Sequence, residues 1–247
     1  MFPIGDEPNG RRLTPAVNTT LIAINVVIFL YQLTLPDTLA ARSLGAFILR
    51  WGAISNEISH GQDLFALVTS MFLHGGWLHI AGNMLFLWVF GDNVEDAMGH
   101  IRYLLFYLVC GIVAGLAQVV VDPTSLTPLV GASGAISGVL GAYIVLFPRG
   151  KIRTLVFLGY FVTVVMIPAW IQIGLWILLQ FFNGFASLGV RTEETGGGVA
   201  YFAHIGGFLA GAVLIWLFRD RDAVARQRAA RAQTAVRPFQ RVGWSGR

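Results

Sequence analysis

Cysteine is almost missing from this chain: Cys110 is the only one in 247 residues. A lone cysteine excludes an intrachain disulfide and any zinc site built on cysteines. It stands in an apolar run, where it reads as a small buried hydrophobe. Charge is scarce as well. Asp, Glu, Lys and Arg make up 12% of the sequence, against about 25% in a soluble domain. No stripe of basic and aromatic residues recurs along the chain, so a net charge of +4 does not point to nucleic acid. The opening stretch MFPIGDEPNGRR lacks the apolar core and cleavage site of a signal peptide. The first span is therefore expected to act as an uncleaved anchor.

What fills the chain instead is apolar: 55% of its residues are hydrophobic. Uncharged apolar runs, several near the length of about 20 residues that crosses a bilayer, cover 17–35, 77–90, 103–121, 129–147 and 199–218. A longer run, 154–182, is interrupted by Pro168. Two full spans would need about 40 residues. The run therefore reads as a short interfacial piece, LVFLGYFVTVVM, followed by one span from Pro168. These runs predict an all-α membrane protein of six transmembrane helices, with a polar segment 1–15, a membrane domain 16–218 and a basic tail 219–247. The lipid bilayer is its expected surrounding.

Arginine and lysine placement sets the expected orientation. With both ends inside, the inner segments hold Arg11, Arg12, Arg102, Arg149, Lys151, Arg153 and the arginine-rich tail, while the outer loops hold only Arg42, Arg50 and Arg191. A bacterial plasma membrane with both termini cytoplasmic is the expected location. The tail reads as helical at first, then disordered, either solvated or touching lipid headgroups. The long first outer loop, 37–76, contains AARSLGAFILRWGAI, whose spacing suits a helix lying in the interface.

Polar groups inside spans are costly and mark candidate sites. His79 opens the second span, with Asn83 one helical turn later on the same face. His204 opens the sixth. Ser133 and Ser137 lie in GASGAISG at the start of the fourth. Spans two, four and six run in one direction, so His79, Ser133 and His204 share a depth near one membrane face. A serine and two histidines at one level suit a nucleophile, a general base and a polar partner. Gly134 and Gly138 in span four, with Gly207 and Gly211 in span six, let those helices approach closely. Ser133 and Ser137 lie on one helix face, so periodicity does not choose between them; depth favours Ser133. A metal site lacks a third ligand at that depth, and no cofactor is expected. The G-x-S-x-G elbow of soluble hydrolases is absent.

At these residues the sequence resembles the rhomboid family of intramembrane serine proteases. The resemblance runs over 13–219. It rests on H-x-x-x-N at His79 and Asn83, G-x-S-G at 131–134, A-H-x-x-G-x-x-x-G at 203–211, and the Glu95 and Gly99 pair in GDNVEDAMGH. The resemblance implies a six-helix bundle with a catalytic dyad, Ser133 as nucleophile and His204 as base. His79, Asn83 and the Ser133 backbone N–H would form the oxyanion hole. It implies substrates that are transmembrane proteins, cut near the outer end of their span. The alternative is a non-catalytic rhomboid-like protein that binds membrane helices. Two positions depart from the pattern: Phe65-Ala66 stands where many members carry Trp-Arg in the first outer loop, and Ser137 stands where some members place a tyrosine that packs on the catalytic histidine. The imidazole then needs another brace, for which Tyr201 and Phe202 are the neighbouring candidates.

Overall fold

Pro15 ends the polar N-terminal stretch, and the apolar run after it forms the first long helix of the computed structural model, α1 (Ala16–Gln32). The structure describes residues 2–7, 10–38, 41–159, 161–188 and 199–236. Ahead of α1 lies a short strand, β1 (Phe2–Asp6). The loop after α1 carries α2 (Leu44–Trp51), β2 (Ala53–Ile54), α3 (Ser55–Ser59) and α4 (Ala66–Thr69). Next come α5 (Trp77–Phe86), a π-helical turn (Leu87–Gly91) and α6 (Asp92–Met98), end to end. Gly99, at φ +84°, breaks this rod. A side chain is strained at that φ, and the break allows α7 (His100–Val121) to set off in a new direction. The rest of the chain is β3 (Pro128–Leu129), α8 (Ser133–Leu146), β4 (Lys151–Leu158), β5 (Phe161–Pro168), α9 (Ala169–Ser187), α10 (Tyr201–Phe218) and α11 (Arg221–Val236).

The fold is mostly helical. Three helices, α7, α9 and α10, are long and apolar enough to cross a membrane, and α1 and α8 are shorter apolar helices. Their outward faces are lined with Leu, Val, Trp and Phe, such as Leu105, Val120, Leu178, Phe182, Val213 and Trp216. Such surfaces suit lipid rather than water.

The all-α expectation needs correction at one place. The run LVFLGYFVTVVM forms an antiparallel hairpin, β4 with β5, and β1 adds a third strand to it. The reason is local: Val, Phe, Tyr and Thr together predominate there, and β-branched and aromatic side chains favour a pleated backbone. Gly159, at φ +62°, lies at the hairpin end. The fourth helix also starts later than the apolar run does. Pro128 and Leu129 pair with Ile54 and Ala53 as strand, and the helix begins at Ser133.

At the centre, α10 packs against both α7 and α8. The contact is backbone on backbone. A Cβ at Gly207 would overlap the carbonyl oxygen of Gly134, and one at Gly211 that of Gly138. A Cβ at Gly138 would fall 2.5 Å from the Cβ of Cys110 and 3.2 Å from the Gly207 carbonyl oxygen, and one at Gly134 would fall 2.7 Å from the Cβ of Ala114. Small residues at this spacing bring helices together where no hydrophobic driving force acts between them.

The first loop is held by aromatic and cationic contacts. The Arg50 guanidinium lies 4.6 Å from the Phe65 ring centre and 5.2 Å from that of Trp51. Asp63 pairs with it at 3.8 Å. Phe65 thus holds the Arg50 guanidinium in this loop, and Ala66 next to it is buried. The tail differs from its expected solvated state over its described part. Helix α11 docks on the bundle: Gln227 Nε2 donates to Asp96 Oδ2 at 2.7 Å, and Arg231 donates to Asn93, Tyr143 and Asp6. Residues 237–247 lie outside the described residues.

Candidate active site

The site is built where α8 begins. Gly131, at φ +125°, turns the chain out of β3 while its N–H donates to the Ser70 carbonyl at 2.9 Å. Ile136 N–H donates to the Ala132 carbonyl, so the helix ladder starts there. The N–H groups of the first turn, Ser133 among them, have no partner within the helix. They also carry the positive end of its dipole.

Ser133 Oγ lies 2.8 Å from His204 Nε2. The two come from α8 and α10, across the glycine contact. Ser137, one turn deeper, is fully buried and donates its hydroxyl to the Ser133 carbonyl at 2.6 Å. Its proton is committed to the helix backbone, a common arrangement for serine in membrane helices. Of the two hydroxyls in GASGAISG, Ser133 is the one that meets the histidine.

His79 and Asn83 reach the same place from α5. Gly75 N–H donates to His79 Nδ1 at 3.4 Å. In the neutral ring this leaves the proton on Nε2, so that nitrogen is a donor. A Cβ on Gly131 would come within 2.7 Å of His79 Nε2 and 3.6 Å of Asn83 Nδ2. The missing side chain of Gly131 is what lets both donors lie beside Ser133. Asn83 Nδ2 is buried without a hydrogen-bond partner. Such a group costs about 1–3 kcal/mol, and an unspent donor in a cavity marks a place where a ligand oxygen would be received. His79, Asn83, Ser133, Trp176, Val199 and His204 line a cavity of about 480 Å³. Among the described residues no group of three or more His, Cys, Asp or Glu is placed to hold a metal.

Two residues of the site escaped the sequence reading. Gln180 Oε1 lies 2.8 Å from His204 Nδ1. The Trp176 ring lies 5.8 Å from the imidazole, tilted by 38°. Both belong to α9 and are one turn apart. They brace the imidazole in place of the expected Tyr201 or Phe202; Phe202 instead packs edge-on against Phe185. The available signal was W-x-x-x-Q on one face of a span, which a search for ionisable groups alone passes over.

Comparison with known proteins adds an independent finding. A family model described as Rhomboid domain matches residues 61–221. The chain is 32% identical over 206 residues to Rhomboid protease GluP of Bacillus subtilis, covering 83% of this chain and 36% of that protein. It is 29% identical over 224 residues to the mitochondrial Rhomboid protein 1 of Saccharomyces cerevisiae, covering 89% of this chain and 57% of the relative. It is 31% identical over 143 residues to Rhomboid protease AarA of Providencia stuartii, covering 53% and 50%. The chain thus spans from about a third to little more than half of the length of these relatives.

Proposed function

The chain belongs to the rhomboid family, and from that premise and the Ser133–His204 contact we propose that it is an intramembrane serine endopeptidase acting on transmembrane proteins. The carrying observation is the 2.8 Å approach of Ser133 Oγ to His204 Nε2 inside an apolar bundle. Ser133 attacks the scissile carbonyl carbon while His204 takes its proton. The oxyanion is met by Asn83 Nδ2, His79 Nε2–H and the first-turn N–H of α8. Preset donors of this kind are each worth about 10²–10³ in rate. His204 then returns the proton to the leaving amine, the C–N bond breaks, and an ester joins Ser133 to the substrate. Water entering the cavity gives one proton to His204 and its OH to the ester carbon; the C–O bond to Ser133 breaks, His204 returns the proton to Ser133 Oγ, and the carboxylic acid product ionises as it leaves.

In this reading the chain crosses the bilayer six times, with both described ends at the cytoplasmic face of a bacterial plasma membrane. The N-terminal ends of α5, α8 and α10 then face outward, and cleavage falls near the outer end of the substrate span. Names of relatives that include the word protease support the activity. The test uses the purified full chain in lipid nanodiscs with a single-span reporter. Wild type cuts the reporter and reacts with a fluorophosphonate at Ser133; Ser133→Ala does neither. Undiminished cutting by Ser133→Ala would overturn the reading, as would an intact wild type that neither cuts nor labels.

A further inference from the structure

We infer that Gln180 is a positioning residue that selects the tautomer of His204, and this rests on the dyad reading above. A neutral imidazole carries one N–H and one lone pair. To accept the Ser133 proton, Nε2 must hold the lone pair, so the ring proton must be on Nδ1. A buried N–H without an acceptor is costly. Left alone, the ring would place its proton on Nε2 and donate it to Ser133 Oγ, an arrangement with no base. Gln180 Oε1, 2.8 Å from Nδ1, supplies the acceptor that holds the proton there.

The surroundings give Gln180 this task. It is 9% exposed and lies on α9, one turn from Trp176, which covers a face of the same ring. Among the described residues the hydrogen bonds of the His204 ring are those to Gln180 and Ser133, and no carboxylate takes part. An amide oxygen keeps its bond when the ring becomes imidazolium, yet it cannot take the proton away. The amide has a second orientation as well. With its NH₂ group toward Nδ1 it would donate, drive the ring proton to Nε2, and leave Ser133 without a base. The direction in which one side-chain amide points therefore decides whether Ser133 is a nucleophile.

Two substitutions separate these states. Gln180→Met keeps the length and removes donor and acceptor; Gln180→Glu keeps acceptor oxygens only. The full chain, labelled with ¹⁵N in its histidines and held in nanodiscs, is examined by NMR for the His204 tautomer, with His204→Asn to assign the signal. Fluorophosphonate labelling, kcat and KM are measured on the same samples. Wild type shows the Nδ1–H form. Gln180→Met shifts it toward Nε2–H and lowers kcat and the labelling rate about 10- to 100-fold, by analogy with metal-bound histidines that lose their orienting partner, with KM and unfolding temperature unchanged. Gln180→Glu restores the Nδ1–H form and most of the rate. Wild-type tautomer and rate in Gln180→Met would overturn the inference. So would a lost rate with the tautomer still Nδ1–H, since Gln180 would then only hold α9 in place. Failure of the dyad itself would show separately, as a wild type unlabelled at Ser133.

Discussion

Two polar clusters lie in this apolar bundle, one at each end, and they are built on opposite rules. At the end near α6 most polar groups are spent on one another, although Gln227 Oε1 and the Nε atoms of Arg226 and Arg231 are buried without a hydrogen-bond partner. Glu95 is fully buried and accepts from the N–H groups of Val17 and Asn18 at 3.0 and 2.8 Å, and pairs with His100. It caps α1 from a different helix, where the N-terminal dipole favours a carboxylate. Asn18 in turn accepts from Tyr103 Oη at 2.8 Å and donates to the Leu87 carbonyl at the π-helical turn. Asp96 accepts from the backbone of Arg12 and Leu13. At the Ser133 end, by contrast, Asn83 Nδ2 has no partner. Buried polar groups that are satisfied hold a fold together, and one left unsatisfied calls for an explanation. What distinguishes the Ser133 end is that its unpartnered amide lines the same cavity as Ser133 and His204.

Substitutions at the two ends should therefore fail in different ways. The largest effect is expected from Ser133→Ala, with a cleavage rate lower by about 10⁴ or more and an unchanged unfolding temperature. Asn83→Ala should lower kcat by about 10²–10³, and chemical denaturation should show no loss of stability, because no bond of Nδ2 is broken. A large loss of stability there would erase the contrast. Glu95→Gln reverses the pattern. It weakens a charge-assisted cap and should lower unfolding free energy by about 2–3 kcal/mol, while the folded fraction, counted by active-site titration, keeps its kcat. The smallest effect concerns His74, in the loop before α5. Burial, and then the neighbouring His79, lower its pKa from 6.5 to about 4. The unfolded chain takes up a proton at His74 below pH 6.5 and the folded protein does not until about pH 4. Stability should thus fall as the pH drops through that window, by about 1 kcal/mol at pH 5.5. His74→Phe should flatten this part of the curve, as read by denaturation at several pH values.

The helices were legible because apolar runs report burial in lipid or core. The G-x-S-G stretch and the two histidines were legible because polar residues are rare in such runs. The β4–β5 hairpin was not, because an apolar run of Val, Thr and Phe has the same hydropathy as a helix; its β-branched content and Gly159 were the discriminating marks. The start of α8 was misplaced because Leu129 and Val130 look helical, while pairing with Ala53 and Ile54 is invisible in one sequence. Gln180 was missed because an uncharged amide in a span reads as helix glue, and only the geometry shows that it faces His204. The docking of α11 was hidden by its composition: an arginine-rich segment looks solvated until its partners, Asn93, Asp96 and Tyr143, are seen beneath it.

That last contact has a consequence for the order of assembly. Arg231 ties α11 to Asp6 of β1 and to Tyr143 of α8, so residues far apart in the sequence close one end of the bundle together. As the chain leaves the ribosome, Ser133 can meet His204 once α10 is in place. The opposite end is finished only when α11 has emerged, and until then Asp6 and Asp96 lack their late partners. In sequence order, the Ser133–His204 contact is thus complete before the clasp at the other end.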